Sequence, residues 1–281
     1  MNNEFKTYCI IGDPIDHSLS PAIHNAAFNY LGLNCSYFAF RVQEGHLKET
    51  VDSLRAINIG GFNVTMPHKV KILEYVDRYD NTVRLVGAAN TVNNENGKFC
   101  AYNTDVTGFI KPLHERRIDF NGFEVLILGA GGAARAVVVA LSGEKGISTI
   151  SIFNRNTNRS IELADMVKGL GLEATVVSRT DIQKIASRCD LIINTTPIGM
   201  RDEPSLISST SIGSSTIVYD IVYKPINTNL LTNAKSAGAE VVYGYEMLLE
   251  QAIASFKIWF QRDPPIEPMK SVLFGMFGEP S

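Results

Sequence analysis

Lys69 and Asp105 are the two residues whose types and positions best suit acid–base chemistry. Lys69 follows an apolar strand pattern at 62–65 and Pro67, so we place it in the first turn of a short helix. The helix dipole disfavours a cation there, and a lysine held near a pocket is then a candidate acid or base rather than an ordinary surface lysine. Asp105 opens a later helix, where it could be a plain N-cap or a carboxylate held ionised beside a ligand.

Two serines near the start of the chain suit a carboxylate ligand. Ser18 and Ser20 are two residues apart, so their side chains point the same way in an extended segment. We expect Ser20 to be the N-cap of a helix whose first residue is Pro21. Capping alone would explain Ser20, so it is the pair of hydroxyls beside a helix start that indicates an anion site.

Further polar residues lie where a buried core would need apolar ones. Asn63 and Thr65 share one face of a strand whose other face is apolar, and a polar face on a buried strand indicates a lined cavity. Asn90 follows a run of small residues, and Gln251 lies on an apolar helical stretch. An amide in such a place needs a hydrogen-bond partner.

A glycine-rich turn has the form of a dinucleotide-binding fingerprint. A strand at 124–128 precedes it, a helix follows, and another strand comes at 149–153, as in a βαβ unit. Glycine permits the tight turn and the close approach of a pyrophosphate, which the free N–H groups of the helix start can bind. The alternative is a strand–helix connection that binds nothing. The turn consists of Gly129, Ala130, Gly131, Gly132, Ala133 and Ala134.

The end of the second strand favours NADP over NAD. NAD-binding proteins usually place Asp or Glu there, whereas arginine suits the 2′-phosphate of NADP. This sequence has Asn154 and Arg155 and no carboxylate, and Arg159 is four residues further on. Both guanidinium groups could bind one phosphate through bidentate hydrogen bonds. The alternative is a pair of solvated surface arginines.

Composition and charge exclude several other classes of protein. The chain has 281 residues and a net charge of −3 without a basic stripe, so nothing indicates binding to nucleic acid or to a membrane surface. No apolar run approaches the roughly 20 residues that span a bilayer, and residues 1–6 lack the pattern of a signal peptide. The cysteines are too far apart for a disulfide scaffold or a zinc ribbon. We therefore expect a cytoplasmic protein with no metal. These cysteines are Cys9, Cys35, Cys100 and Cys189.

Alternating apolar runs and helical patterns predict an α/β protein of two domains. We expect an N-terminal α/β substrate-binding domain over 1–104 and a Rossmann-type doubly wound parallel sheet domain that binds NADP over 105–243. C-terminal helices over 244–281 would return to the first domain and pack back on it. The active cleft would lie between the two domains.

Several ordered motifs together resemble the shikimate/quinate dehydrogenase family, from near the start of the chain to the Trp259 region. In the first half they are Gly12-x-Pro14-x-x-His17-Ser18-x-Ser20-Pro21-x-x-His24-Asn25, Asn63-Val64-Thr65-x-Pro67-His68-Lys69, Gly87-Ala88-Ala89-Asn90-Thr91 and Asn103-Thr104-Asp105. In the second half they are Gly129-Ala130-Gly131-Gly132-Ala133-Ala134-Arg135-Ala136, Asn194-Thr195-Thr196-Pro197-x-Gly199-Met200, Asp220-x-x-Tyr223-x-Pro225 and Met247-Leu248-x-x-Gln251.

The resemblance implies an NADP-dependent oxidoreductase that reversibly reduces 3-dehydroshikimate to shikimate, in the chorismate pathway of aromatic amino acid biosynthesis. It implies that Lys69 and Asp105 are catalytic and flank the reacting oxygen, with Ser18, Ser20 and Tyr223 at the substrate carboxylate. It implies hydroxyl-binding roles for Asn63, Thr65, Asn90 and Gln251. It implies cofactor-binding roles for Gly129, Ala130, Gly131, Gly132, Ala133, Ala134, Asn154, Arg155, Arg159, Thr195 and Gly244. A monomer or a homodimer is expected.

Two alternatives stay open beside this interpretation. One is a dehydrogenase that acts on quinate, or on both acids, with NAD; the serine pair and the 154–159 loop favour shikimate and NADP instead. The other is a protein that senses NADP without turnover, which would be expected to lack Lys69 or Asp105. Folate-type dehydrogenases share the two-domain architecture but not the serine pair. Asn156 stands where the family often has threonine, which leaves the strength of the NADP preference open.

Overall fold

A computed structural model of the chain describes residues 5–277. Residues 1–4, on which part of the signal-peptide expectation rests, lie outside the described residues. The chain divides into two compact units. Unit 1 consists of Met1–Gly108 and Leu249–Ser281, and unit 2 consists of Phe109–Leu248.

Unit 1 is built on a mixed six-stranded sheet. Its strands are β1 (Lys6–Gly12), β2 (Cys35–Arg41), β3 (Gly61–Val64), β4 (Arg78–Tyr79), β5 (Thr91–Glu95) and β6 (Lys98–Tyr102). Its helices in the first part of the chain are α1 (Ser20–Tyr30), α2 (Leu47–Ala56), α3 (Asn81–Val86) and the start of α4 (Asp105–Glu115). The strand order is β2-β1-β3-β5-β6-β4, in which β3 pairs antiparallel with β5 and β5 with β6.

The β5–β6 hairpin turns at Asn96 and Gly97, which both have positive φ angles, of 56° and 87°. Asn and Gly tolerate this conformation better than other residues, so this dipeptide suits the tight turn of the hairpin. The sequence pattern did not reveal β4 or α3. The α3 helix begins after Asp80, whose side chain accepts a 2.8 Å hydrogen bond from the Val83 N–H, and ends at Gly87 in the left-handed conformation.

Two expectations about helix starts in unit 1 are wrong. Helix α1 begins at Ser20 with Leu19 at the N-cap position, and no side chain caps it. Lys69 is not in a helix: residues 66–70 form a turn that is followed by a short 3₁₀ helix, Lys71–Glu74. Lys69 is therefore not held against a helix dipole. The position of its ammonium group is explained by its ion-pair partner, Asp105.

The C-terminal helices return to unit 1, as the sequence predicts. Helix α9 (Gly244–Phe260) starts in unit 2 and belongs to unit 1 from Leu249 onward. Helix α10 (Ile266–Phe277) packs against α1, and its Met269 and Leu273 side chains are fully buried. The apolar face of α10 thus forms part of the unit 1 core.

Unit 2 is a doubly wound parallel sheet, which confirms the predicted Rossmann-type fold. Its strands lie in the order β12-β11-β10-β7-β8-β9, so β7 is central and the order reverses beside it. The strands are β7 (Glu124–Leu128), β8 (Thr149–Phe153), β9 (Ala174–Val176), β10 (Leu191–Asn194), β11 (Ile217–Asp220) and β12 (Glu240–Val242). The helices between them are α5 (Gly132–Ser142), α6 (Thr157–Gly169), α7 (Ile182–Ala186) and α8 (Asn229–Ser236).

The central strands of unit 2 are buried along their whole length. Leu191–Asn194 and Ile217–Asp220 are buried at every position, because a parallel strand covered by helices on both faces has no solvated side. Among the described residues, no helix is long and apolar enough to cross a bilayer.

Candidate active site

The Lys69 ammonium and the Asp105 carboxylate form an ion pair in unit 1, with 2.6 Å between Nζ and Oδ2. The Asp105 side chain is 7% exposed and that of Lys69 is 20% exposed, so the pair lies at the edge of the interior with one side accessible. Asp105 is the first residue of α4, yet its carboxylate contacts Lys69 and Asn90 rather than capping the helix. A shielded pair of this kind can hold a proton donor at a defined place beside a ligand.

Asn90 holds the second oxygen of that carboxylate. Its Nδ2 donates to Asp105 Oδ1 over 2.8 Å and to Thr104 Oγ1 over 2.9 Å. Its Oδ1 accepts from the Thr104 N–H over 2.7 Å. The turn that carries Lys69 is tied to the same segment, because the Ala89 N–H donates to the Lys69 carbonyl. Both partners of the ion pair are therefore fixed to residues 89–90.

Asn63 lies beneath this group and is 4% exposed. Its Nδ2 lies within 3.0–3.1 Å of the Asn90 carbonyl, Thr91 Oγ1 and Ser255 Oγ. Its Oδ1 accepts from the Tyr37 hydroxyl over 2.7 Å. The amide therefore already has protein partners for both its donor and its acceptor groups. Of the predicted polar strand face, Asn63 belongs to a hydrogen-bonded network, whereas Thr65 lies just beyond the end of β3.

Of the remaining polar residues predicted in unit 1, Ser20 and Gln251 contact members of this network. The Ser20 N–H donates to Ser18 Oγ over 3.3 Å, so the two serines are adjacent, and Ser20 is also a hydrogen-bond partner of Tyr37. Thr65 is half-buried beside Gly12. A Cβ added to Gly12 would clash with the methyl group of Thr65. Gln251 is half-buried on α9, and its carbonyl accepts from Ser255 Oγ over 2.9 Å.

An aromatic cluster supports the inner side of the network. Tyr37 is 1% exposed and stacks on His24, with 4.6 Å between the ring centroids. Burial raises the pKa of Tyr37 well above its ordinary value and lowers the pKa of His24 to about 3. Both rings are therefore neutral at physiological pH. The Asn25 side chain holds the main chain of Tyr37, bonding its N–H over 2.8 Å and its carbonyl over 2.9 Å.

Several members of the network had no role assigned from the sequence, although Thr91 and Thr104 lie within the family-like motifs. They are Tyr37, Thr91, Thr104 and Ser255. Ser255 had a usable signal, because it is one helical turn after Gln251 and thus lies on the same face of α9. Tyr37 had none, since a tyrosine in a strand is ordinary core material.

In unit 2, the predicted dinucleotide turn connects β7 to α5. Gly129 has a φ of +111°, and a Cβ there would meet Thr195 Oγ1. Thr195 donates its hydroxyl to the Leu128 carbonyl over 2.8 Å, which holds the neighbouring loop against the turn. Gly131 precedes the helix with ordinary angles, and apart from its chain neighbours no described atom lies within 4 Å of where its Cβ would be. The turn thus leaves an open space before the first N–H groups of α5, which fits a pyrophosphate.

The predicted phosphate loop follows β8. Asn154 Nδ2 donates to the Asn156 carbonyl over 2.9 Å, and Asn156 Oδ1 caps α6 by accepting from the Asn158 N–H over 3.0 Å. Arg155 and Arg159 are exposed, and neither forms an ion pair with any residue of the described chain. Two unpaired guanidinium groups at a helix start fit a ligand with a phosphate group.

Asp220 joins two of the family-like motifs in unit 2. It is fully buried, and its carboxylate accepts from Asn194 Nδ2 over 2.8 Å and from Thr228 Oγ1 over 2.7 Å. Burial raises its pKa from 3.8 to about 6. Tyr223 follows in the same motif, half-buried, with its pKa raised by burial. Gly244 starts α9, where a Cβ would lie 2.5 Å from the Ile221 carbonyl oxygen.

The predicted residues thus form two groups. Ser18, Ser20, Asn63, Thr65, Lys69, Asn90, Asp105 and Gln251 are in unit 1, and the predicted cofactor residues and Tyr223 are in unit 2. Within residues 5–277, no cluster of His, Cys, Asp or Glu side chains could hold a metal ion.

Three family models match the chain. Residues 10–92 match the shikimate dehydrogenase substrate binding domain, 113–203 match shikimate / quinate 5-dehydrogenase, and 244–274 match the shikimate 5′-dehydrogenase C-terminal domain. The first match contains the serine pair and Lys69, and the second contains the dinucleotide turn.

Individual relatives agree with the family models over nearly the whole chain. The shikimate dehydrogenase (NADP(+)) of Nitrosopumilus maritimus is 45% identical over 272 residues, which is 97% of this chain and 99% of that protein. The crystal structure of shikimate dehydrogenase from Aquifex aeolicus has 37% identity and a TM-score of 0.88, covering 97% of this chain and 99% of that one.

A further crystal structure, of shikimate 5-dehydrogenase from Listeria monocytogenes in complex with shikimate and NAD, has 35% identity and a TM-score of 0.86 and covers 96% of each chain. Sequence identity at this level, continuous across both units and accompanied by the same fold, shows that the chain belongs to the shikimate dehydrogenase family.

Proposed function

We propose that this chain is an NADP-dependent shikimate dehydrogenase, which reversibly reduces the ring ketone of 3-dehydroshikimate to the hydroxyl of shikimate. The observation that carries the proposal is the shielded Lys69–Asp105 pair, 2.6 Å from Nζ to Oδ2, which Asn90 holds from its other side. This pair supplies a proton donor where a ketone oxygen would gain negative charge. The similarity to NADP(+) shikimate dehydrogenases supports the choice of substrate and cofactor.

Unit 2 would hold the cofactor, which supplies a hydride acceptor or donor when bound. The turn of Gly129, Ala130, Gly131, Gly132, Ala133 and Ala134 would bind the pyrophosphate at the start of α5. Asn154, Arg155 and Arg159 would bind the adenosine ribose and its 2′-phosphate. Thr195 and Gly244 would complete the site by holding neighbouring backbone close to the cofactor.

Unit 1 would hold the substrate. Ser18 accepts a hydrogen bond from the Ser20 N–H, so its own proton remains available to a carboxylate, and Tyr223 would assist there. Thr65 and Gln251 would bind ring hydroxyls. Asn90 would do so beside Asp105, although a hydroxyl that reaches it must compete with Thr104, because both Nδ2 protons already have acceptors.

The proton step is assigned to Lys69. Its ammonium would donate a proton to the oxygen of the ketone as that oxygen becomes negative, and it would recover a proton in the reverse direction. Asp105 would keep the ammonium charged and aimed, and would accept a hydrogen bond from the adjacent substrate hydroxyl. Acid–base assistance of this kind accelerates reactions by about 10²–10⁴.

The direct test follows NADPH absorbance with purified protein and shikimate, with NADP and NAD offered in parallel. We expect reduction of NADP and little reduction of NAD. Reduction of NAD alone would contradict the roles of Arg155 and Arg159 while leaving the reaction intact. Activity on quinate but not on shikimate would contradict the substrate assignment. Binding of NADP without turnover of either acid would indicate a sensor.

The proposed setting is the cytoplasm, where the protein would act as a monomer or a homodimer in aromatic amino acid biosynthesis. The four cysteines are free thiols, which fits a reducing compartment. Sedimentation analysis of the purified protein would decide between the two oligomeric states.

A further inference from the structure

Tyr37 is a buried tyrosine of β2 whose hydroxyl contacts Asn63 and Ser20 in the interior of unit 1. Its oxygen lies 2.7 Å from Asn63 Oδ1, and its side chain is almost wholly inaccessible to solvent. Nothing in the proposed reaction uses Tyr37 directly.

The direction of this hydrogen bond is determined by the other end of the Asn63 amide. The atom that faces the Asn90 carbonyl at 3.0 Å must be Nδ2, because a carbonyl oxygen can only accept. The atom that faces Tyr37 is therefore Oδ1, and Tyr37 must donate its only hydroxyl proton to it. Neither Nδ2 proton is available to a ligand, since Thr91 Oγ1 and Ser255 Oγ also lie within 3.1 Å.

Asn63 is connected to the Lys69–Asp105 ion pair through Asn90. Asn63 holds the main-chain carbonyl of Asn90, while the Asn90 side chain donates to Asp105 Oδ1. Asp105 Oδ2 in turn contacts Lys69 Nζ at 2.6 Å. An unbroken series of hydrogen bonds thus runs from Tyr37 through Asn63 and Asn90 to the two residues assigned to proton transfer.

We infer that Tyr37 and Asn63 are positioning residues, which hold Asn90 so that its side chain aims the Asp105 carboxylate at Lys69, and that Asn63 does not itself bind the substrate. This inference rests on the proposed function. On this inference, Asn63 supports the acid–base pair and does not recognise a substrate hydroxyl. A residue that acts this way affects the chemical step more than substrate affinity.

Tyr37→Phe tests the inference with little disturbance, because the ring that stacks on His24 is kept and only the hydroxyl is lost. Tyr8→Phe is the matched control. Tyr8 is 3% exposed and its ring lies 5.0 Å from that of Trp259 in the same aromatic cluster. Within the described part of the chain, its hydroxyl has no hydrogen-bond partner. The control therefore removes the same atom from the same cluster without touching the network.

Ser255→Ala provides a second, independent variant. It removes one acceptor of the Asn63 amide from the α9 side, at the opposite end from Tyr37. Steady-state kinetics of shikimate oxidation with saturating NADP would be compared for the wild type and the three variants, together with thermal unfolding of each.

We expect Tyr37→Phe to lower kcat about tenfold, with KM for shikimate changed less than about twofold, since a buried carbonyl left without its donor loses its fixed orientation. Ser255→Ala is expected to lower kcat about threefold, because two acceptors for the amide remain. Tyr8→Phe should leave both constants unchanged.

Three results would overturn the inference while the wild type remains active. A rise in KM at unchanged kcat would assign the Tyr37 hydroxyl to support of the substrate site, through Asn63 or through Ser20. Wild-type kinetics in Tyr37→Phe would show that the hydroxyl does not matter. An equal loss of kcat in Tyr37→Phe and Tyr8→Phe would reduce the effect to packing of the aromatic cluster. A wild-type protein without turnover of shikimate would instead overturn the proposed function, and this inference with it.

Discussion

Lys69 and Asp105 lie 36 positions apart in the sequence, and their charged atoms are 2.6 Å apart in the structure. The carboxylate has a second, neutral donor in Asn90, so it stays aimed when the lysine moves to a ligand. Such an arrangement keeps the ammonium available for proton transfer without leaving the carboxylate unsatisfied in the interior.

Replacing Lys69 with Ala should abolish the proton donor and leave most of the substrate site intact. We expect kcat for shikimate oxidation to fall by about 10²–10⁴, with a modest change in KM. Lys71→Ala is the control, because Lys71 is two residues away and exposed. The measurement is steady-state kinetics at saturating NADP. A large rise in KM at normal kcat would assign Lys69 to substrate binding.

The two arginines of the phosphate loop should determine the choice of cofactor. In the double variant Arg155→Ala and Arg159→Ala, KM for NADP should rise about 10- to 100-fold, because a hydrogen bond to a charged group contributes about 1.5–3 kcal/mol. The KM for NAD should change little, since NAD has no 2′-phosphate. Both constants are measured with shikimate in excess. An equal change for the two cofactors would contradict the assignment.

Replacing either of two glycines of the dinucleotide turn with alanine should impair the protein, but in different ways. Gly129→Ala forces an L-residue to a φ of +111° against Thr195, so it should destabilise the protein by about 1–3 kcal/mol through backbone strain alone. Gly131→Ala places its methyl group in open space at ordinary angles, so stability should be preserved.

The Gly131→Ala methyl group would instead occupy the space assigned to the pyrophosphate. We expect KM for NADP to rise about tenfold, in line with a cost of about 1–3 kcal/mol for an added methyl group in a packed site. Urea unfolding and NADP titration of both variants separate the two effects. Normal NADP binding by a stable Gly131→Ala protein would place the cofactor elsewhere.

Asp220 should make stability depend on pH in the direction opposite to that of most carboxylates. Its folded pKa of about 6 is above its ordinary value of 3.8, so the folded protein holds this proton more tightly than the unfolded chain does. The corresponding stabilisation is present below about pH 4 and is lost as the pH rises to about 6. At 1.36 kcal/mol per pKa unit, it amounts to about 3 kcal/mol.

Asp220→Asn removes the titrating group and keeps its shape. We expect the free energy of unfolding of the wild type, minus that of the variant, to decrease between pH 4 and 6.5 and then stay constant. Urea unfolding at several pH values gives this difference, in which the other carboxylates cancel. A difference that is flat across the range would show that burial does not raise this pKa.

The predictable parts of this protein are those with a local cause. The parallel sheet of unit 2 follows from apolar runs bounded by turn residues, and Gly129 and Gly131 stand where the strand–turn–helix pattern requires them. Helix α10 follows from the spacing of Met269 and Leu273. Where local signals were weak the prediction failed: Lys69 lies in a turn rather than a helix, and α1 begins one residue earlier than Pro21.

The sequence by itself determined the two-unit α/β architecture, the dinucleotide turn and the identity of most polar candidates, because residue type and spacing act through neighbouring backbone. Only the tertiary structure decided which of those residues meet. Asp105 could have been a helix cap, and it is the partner of Lys69 because the β5–β6 hairpin brings the start of α4 beside residues 66–70. Likewise Tyr37 and Ser255 join Asn63 across 26 and 192 positions, contacts that no local pattern encodes.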